Sequence, residues 1–155
     1  MAGTFRYWVW DPPLIISQII TLQCAFYAGL GLIFWFIDVL FQQSLSLEQL
    51  FSYGAVHLKS PVGLCTVIAY LLNACISASA VWFFVTRTKQ CLDFSCTTHF
   101  YHLLACWCYN SRFPTSPGWW LLNVCSATIM CVLAEYLCIR SEVKAIPLLG
   151  SKADL

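Results

Sequence analysis

Cys96, His99, His102 and Cys106 recur at intervals of three, three and four residues, which sets them on roughly one face of a helix. Thiolate and imidazole are good zinc ligands, so the chemistry this spacing first suggests is a metal site. Ligands stacked on one straight helix cannot close a tetrahedron, however. The sequence also has no Glu-x-x-His or His-Glu-x-x-His element to supply the missing ligands. Histidines in an apolar helix more often bond to neighbouring helices or line an internal polar patch, and no metal or cofactor is expected here.

Glu135 is the other chemically suggestive residue, because a carboxylate inside an apolar stretch is costly and calls for a partner. A contact with His99, or with the hydroxyls of Thr97 and Thr98, would serve the stability of a bundle. A solvated interfacial position and a proton-relay role remain open beside it. Neither a nucleophile and base pair, a Gly-rich phosphate loop nor paired carboxylates occur, so no catalytic activity is expected. Cys91 and Cys138 fall at the ends of apolar runs, where reversible palmitoylation occurs. The ten cysteines as a group lie almost entirely inside apolar runs, where thiols behave as small hydrophobes rather than as a disulfide framework.

The elements that must hold these residues are set by composition. Hydrophobic residues make up 60% of the 155 and charged residues 10%, against an apolar share of roughly 45–50% and a charged share of about 25% in soluble domains. A net charge of +1 offers no field for nucleic acid. The chain reads as an all-α, polytopic membrane protein, a single integral membrane domain built as a four-transmembrane-helix bundle.

The spans are expected at about 14–37, 61–85, 94–110 and 119–138, since an apolar stretch of roughly 20 residues crosses a bilayer. Asp11, Pro12 and Pro13 mark the first helix start, with Asp11 as a cap, and Asp38 ends the first uncharged run. Ser46 to Gln49 has the form of a capping box, predicting a short interfacial helix in the loop that follows. Ala74, Ser77, Ala78, Ser79 and Ala80 give the second span a small face suited to close helix contact, and Asn73 is expected to bond across it, with a pore-lining role as the alternative. The third span is the least apolar, and Asn123 lies inside the fourth.

Arg6, Arg87, Lys89, Arg140, Lys144 and Lys152 fall on one side of this arrangement and Lys59 and Arg112 on the other. The positive-inside rule then predicts cytosolic tails at 1–13 and 139–155 and a lumenal first loop. Charged surface for a peripheral partner is confined to Arg87, Lys89, Gln90 and Asp93 in the short turn and Arg140, Glu142 and Lys144 in the tail. The rival organisation is a small transporter or channel subunit using Asn73, His99, His102, Asn123 and Glu135 as a polar path. A repeat pair or a broken helix would favour it, and the sequence has neither.

Trp10-Asp11-Pro12, Gln18-Ile19, Lys89-Gln90-Cys91-Leu92-Asp93-Phe94, His99-Phe100, His102-Leu103, Cys106-Trp107, Tyr109, Arg112-Phe113-Pro114, Trp119-Trp120 and Glu135-Tyr136-Leu137-Cys138 resemble the Sys family of small Golgi membrane proteins. The resemblance covers nearly the whole chain, is strongest after Lys89 and is weakest in the 41–59 loop. It implies a four-span protein of the trans-Golgi that acts as receptor for an N-terminally acetylated, Arf-related small GTPase in endosome-to-Golgi traffic.

Overall fold

The computed structural model describes residues 11–42, 44, 46–56 and 60–150, with side chains given as far as Lys144. Arg6, Lys59 and Lys152, three of the charges used to orient the chain, lie outside the described residues. Four long helices and one short one follow in order: α1 (Pro12–Phe41), α2 (Glu48–Phe51), α3 (Pro61–Val85), α4 (Cys91–Asn110) and α5 (Pro117–Gly150). No strand occurs among the described residues.

Three of these helices, α1, α3 and the 117–144 part of α5, are long and apolar enough to cross a membrane. The fourth, α4, is helical over 20 residues but carries Thr97, Thr98, His99 and His102, and it falls short of the others in apolarity.

Their ends follow from local chemistry. Ser60 accepts the Gly63 N–H at 3.1 Å and Pro61 occupies the first helical position, so α3 starts where its sequence says. At α1 the expected cap is only positional. The Asp11 carbonyl accepts from Ile15 N, while its side chain makes no capping bond. Helices α1, α3 and α4 end on Gln42, Thr86 and Ser111, all at positive φ between 51° and 53°. A left-handed non-glycine residue costs about 1–2 kcal/mol, so tertiary packing, not a glycine signal, fixes these ends.

Two expectations change here. Helix α1 runs past Asp38 to Phe41, and α5 continues beyond Cys138 through the expected polar tail to Gly150, with no helix breaker between Cys138 and Pro147.

Helix α3 is the centre of the bundle. Gly63, Thr66, Tyr70, Asn73, Ser77 and Val81 recur at intervals of three and four and are all buried, while Ala69, Ala74 and Ala78 widen the buried stripe. Ala74, Ser77 and Ala78 form the expected small face, whereas Ser79 is exposed and Ala80 only half-buried. Gln18 near the start of α1 donates to Phe84 O at the end of α3, and Phe34 near the end of α1 packs on Tyr70 nearer the start of α3. These two helices are therefore antiparallel. Helices α4 and α5 are likewise antiparallel, with Cys91 beside Cys138 at one end and His102 against Trp119 nearer the other.

The core divides in two. Leu22, Ala78, Val81, Phe94, Met130 and Ala134 pack near the end that holds the 86–90 turn, and Phe26, Leu30, Phe34, Tyr70, Trp119 and Leu122 pack near the 44–56 loop. Large side chains such as Leu32, Phe36, Phe83, Leu121 and Val132 are exposed around the outside, the distribution a lipid solvent requires.

Candidate functional site

The structure separates the predicted site residues into a buried polar centre and one charged end. His102 is the hub of the centre and is fully buried. Its ring lies 5.5 Å from Phe26, 6.0 Å from Tyr27, 6.4 Å from Phe51, 5.7 Å from Tyr70 and 6.3 Å from Trp119, with Trp119 stacked at 21°. Helices α1, α2, α3 and α5 thus each place an aromatic side chain on one imidazole of α4.

The hydrogen bonds around it favour one tautomer. Tyr70 Oη donates its single proton to Leu50 O at 2.6 Å, so its oxygen can only accept from His102 Nε2, 3.3 Å away. Nε2 therefore carries the hydrogen, and Nδ1 accepts from Tyr27 Oη at 3.3 Å. Both ring nitrogens of His102 are thus engaged by tyrosines of neighbouring helices.

This arrangement also draws the first loop into the bundle. Asn110 donates to Phe51 O at 2.6 Å, Tyr53 Oη donates to Arg112 O at 3.1 Å, and Tyr53 packs edge-on against Trp119 at 5.2 Å. Burial raises the Tyr53 phenol above its ordinary pKa. The expected capping box does not form. Ser46 Oγ accepts from Glu48 N rather than from the Gln49 amide, and the Gln49 side chain turns to Asp38 Oδ1 at 3.1 Å. Helix α2 is a four-residue peg tied by its carbonyls to α3 and α4.

The remaining polar residues are placed as follows. Asn73 bonds across the helix contact as expected, donating to Phe26 O at 3.1 Å. Asn123 donates within its own helix to Trp119 O at 3.0 Å. His99 donates from Nδ1 to Ser95 O at 3.1 Å and packs edge-on against Phe26.

The expected Glu135 contact is not made. Thr97 and Thr98 donate to Asp93 O and Phe94 O, and Glu135 takes the Cys131 thiol of its own helix at 3.6 Å. Cys96 is exposed while Cys106 is buried 3.4 Å from His102 Nε2, so the one-face ligand set is split between lipid and core.

At the charged end, Arg87, Lys89, Asp93, Arg140, Glu142 and Lys144 are exposed and Gln90 is half-buried. Glu142 Oε1 accepts the Thr88 N–H at 3.4 Å, joining the turn to the extended α5. The turn and the start of the tail thus form one continuous surface, a juxtaposition that spacing does not reveal. Beneath it Cys91 and Cys138 lie 3.6 Å apart, both fully buried, a placement that withholds both thiols from acylation.

Long apolar helices wrapped around a sealed polar layer, with charge gathered at an end, define an integral membrane protein of the polytopic helical class. Residues 5–148 match the SYS1 family, described as integral membrane protein S linking to the trans Golgi network, and the chain belongs to that family of membrane-trafficking proteins.

It is 46% identical over 146 residues to a "Protein SYS1 homolog" of Nematostella vectensis, which covers 94% of this chain and 92% of that protein. It is 38% identical over 148 residues to a "Protein SYS1 homolog" of Dictyostelium discoideum, covering 96% of this chain and 63% of that protein. No solved structure matches the chain.

Proposed function

We propose that this protein is a four-span receptor of the trans-Golgi membrane that recruits an Arf-related small GTPase, N-terminally acetylated, in endosome-to-Golgi traffic. Both termini and the 86–93 turn face the cytosol, and α4 completes the bundle as the third span. The observation that carries this reading is the joined surface of Arg87, Lys89 and Asp93 with Arg140, Glu142 and Lys144, bridged by the Glu142 to Thr88 bond. A peripheral protein needs a surface whose side chains are held before it arrives, since ordering them on binding costs about 0.5–1.5 kcal/mol each. A short 3-10 turn braced against a helix meets that need better than a free tail. Family membership supports the Golgi setting.

The polar centre serves assembly in this reading: Asn73 and His102 each bond to a neighbouring helix, while Asn123 bonds within its own. Isolation of GTPases from Golgi membranes with and without the protein tests the proposal. An Arf-related GTPase is expected to leave the membrane fraction when the protein is absent, and equal membrane-bound amounts would contradict the proposal.

A further inference from the structure

Asp38 sits in the last turn of α1 and is 3% exposed. That is the unfavourable end of a helix for a carboxylate, because the helix macrodipole is already negative there. No basic residue occupies this last turn. Asp38 Oδ1 accepts from Gln49 Nε2 at 3.1 Å, and Asp38 Oδ2 is buried with no hydrogen-bond partner among the described residues. Gln49 Oε1 is also buried and unpartnered.

Both side chains line a cavity of about 110 Å³ between α1 and the start of α3, together with Thr66, whose hydroxyl proton is already given to Val62 O at 3.1 Å. The polar side chains of the wall therefore offer Asp38 Oδ2, Gln49 Oε1 and Thr66 Oγ1 as acceptors, while one of the two Gln49 amide protons is committed to Asp38 and the Thr66 hydroxyl proton to Val62. The rest of the lining is apolar, with Phe34, Ile37, Phe41 and Val62 among it.

A group that matches three acceptors, one of them a carboxyl oxygen, is a primary ammonium, which has three N–H donors and no acceptor. A divalent metal fits poorly: calcium takes 6–8 oxygens and magnesium holds a full octahedron, usually with several waters, against an apolar wall. A quaternary ammonium has no N–H and would leave all three oxygens unmatched. The apolar side chains suit the carbons that follow an ammonium nitrogen, and two of them, Phe41 and Val62, are themselves exposed on the outside of the bundle. We propose that this cavity is a binding site for the primary ammonium headgroup of an ethanolamine phospholipid.

The test uses the full chain reconstituted with equal amounts of phosphatidylethanolamine and phosphatidylcholine of matched acyl chains. It is repurified in mild detergent, and the retained lipids are counted by headgroup in a mass spectrometer. Wild-type protein is expected to retain the ethanolamine lipid over the choline lipid by about tenfold. Asp38→Asn brings the ratio close to one, and Gln49→Leu lowers it part of the way. N-methylated and N,N-dimethylated ethanolamine lipids give a stepwise loss as donors are removed. Lys59, two residues before Pro61 in the cavity wall, is the competing cation of the chain itself, and Lys59→Met is expected to leave the ratio unchanged. Equal retention of both lipids by wild type, or an undiminished ratio in Asp38→Asn, overturns the proposal. A preference that appears only in Lys59→Met does so too, by assigning the cavity to the chain's own lysine.

Discussion

Gly29 on α1 stands so close to Asn73 on α3 that a Cβ added at Gly29 would lie 2.5 Å from Asn73 Oδ1. Asn73 cannot retreat freely, since its Nδ2 is bonded to Phe26 O at 3.1 Å. The glycine is therefore required by close approach and not by a turn, and the contact it permits is the one that locks α1 to α3. Gly29→Ala is expected to destabilise the purified protein by about 1–3 kcal/mol, the usual cost of overpacking. The loss should shrink in an Asn73→Ala background. Gly31→Ala is the control: nothing lies within 4 Å of its added Cβ, so its thermal midpoint should hold or rise.

Substitutions at the imidazole hub separate hydrogen bonding from charge. His102→Arg places a cation among Phe26, Tyr70 and Trp119 at a cost of about 2.5–3.5 kcal/mol on insertion scales, and little folded protein should reach the Golgi. His102→Gln keeps a donor and an acceptor and is expected to be mild. Tyr70→Phe leaves both Leu50 O and His102 Nε2–H without their partner, and should cost about 1–3 kcal/mol in a thermal melt. If Tyr70→Phe melts like wild type, the tautomer assigned to His102 is wrong.

Burial gives a chemical prediction for the thiols. Cys91 and Cys138 are closed off beneath the charged turn, while Cys96, Cys108 and Cys125 are exposed on the outer surface. Acyl exchange on native membranes should therefore find no thioester at Cys91 or Cys138. Both should become reactive to maleimide only after denaturation.

Much of the scaffold was legible because membrane helices announce themselves by length and lack of charge. The 61–85 helix matches its predicted bounds, and Asn73 bonds across the small face of Ala74, Ser77 and Ala78 as expected. What was hidden depends on which residues meet. Tyr27, Phe51, Tyr70 and Trp119 lie far apart in sequence, and only the fold assembles them around His102. Asp38 was read as the end of a span because a carboxylate ordinarily stops an apolar run, yet Gln49 of the loop covers it and α1 continues to Phe41. The Glu135 pairing failed for a related reason. The nearby hydroxyls on α4 bond back to their own helix, and an i, i+4 thiol on α5 supplies the contact.

The orientation proposed from the placement of Lys and Arg is directly measurable. Glycosylation acceptor sites inserted after Ser44 and after Thr115 are expected to be modified, and one placed in the 86–90 turn is not. Absence of modification at either of the first two positions, in a protein that has reached the Golgi, would reverse or break the four-span topology.

The central claim is that the charged end recruits a GTPase rather than merely touching anionic lipid, which would contribute about 1 kcal/mol per cation near the surface. Arg87, Lys89 and Asp93 are exposed and lie away from the buried His102 hub, so all three can be replaced together by Ser without altering that hub. In cells lacking the wild-type protein, this variant should still localise to the Golgi while the membrane-bound share of the Arf-related GTPase falls at least several-fold. Full recruitment by a correctly localised triple variant would contradict the account.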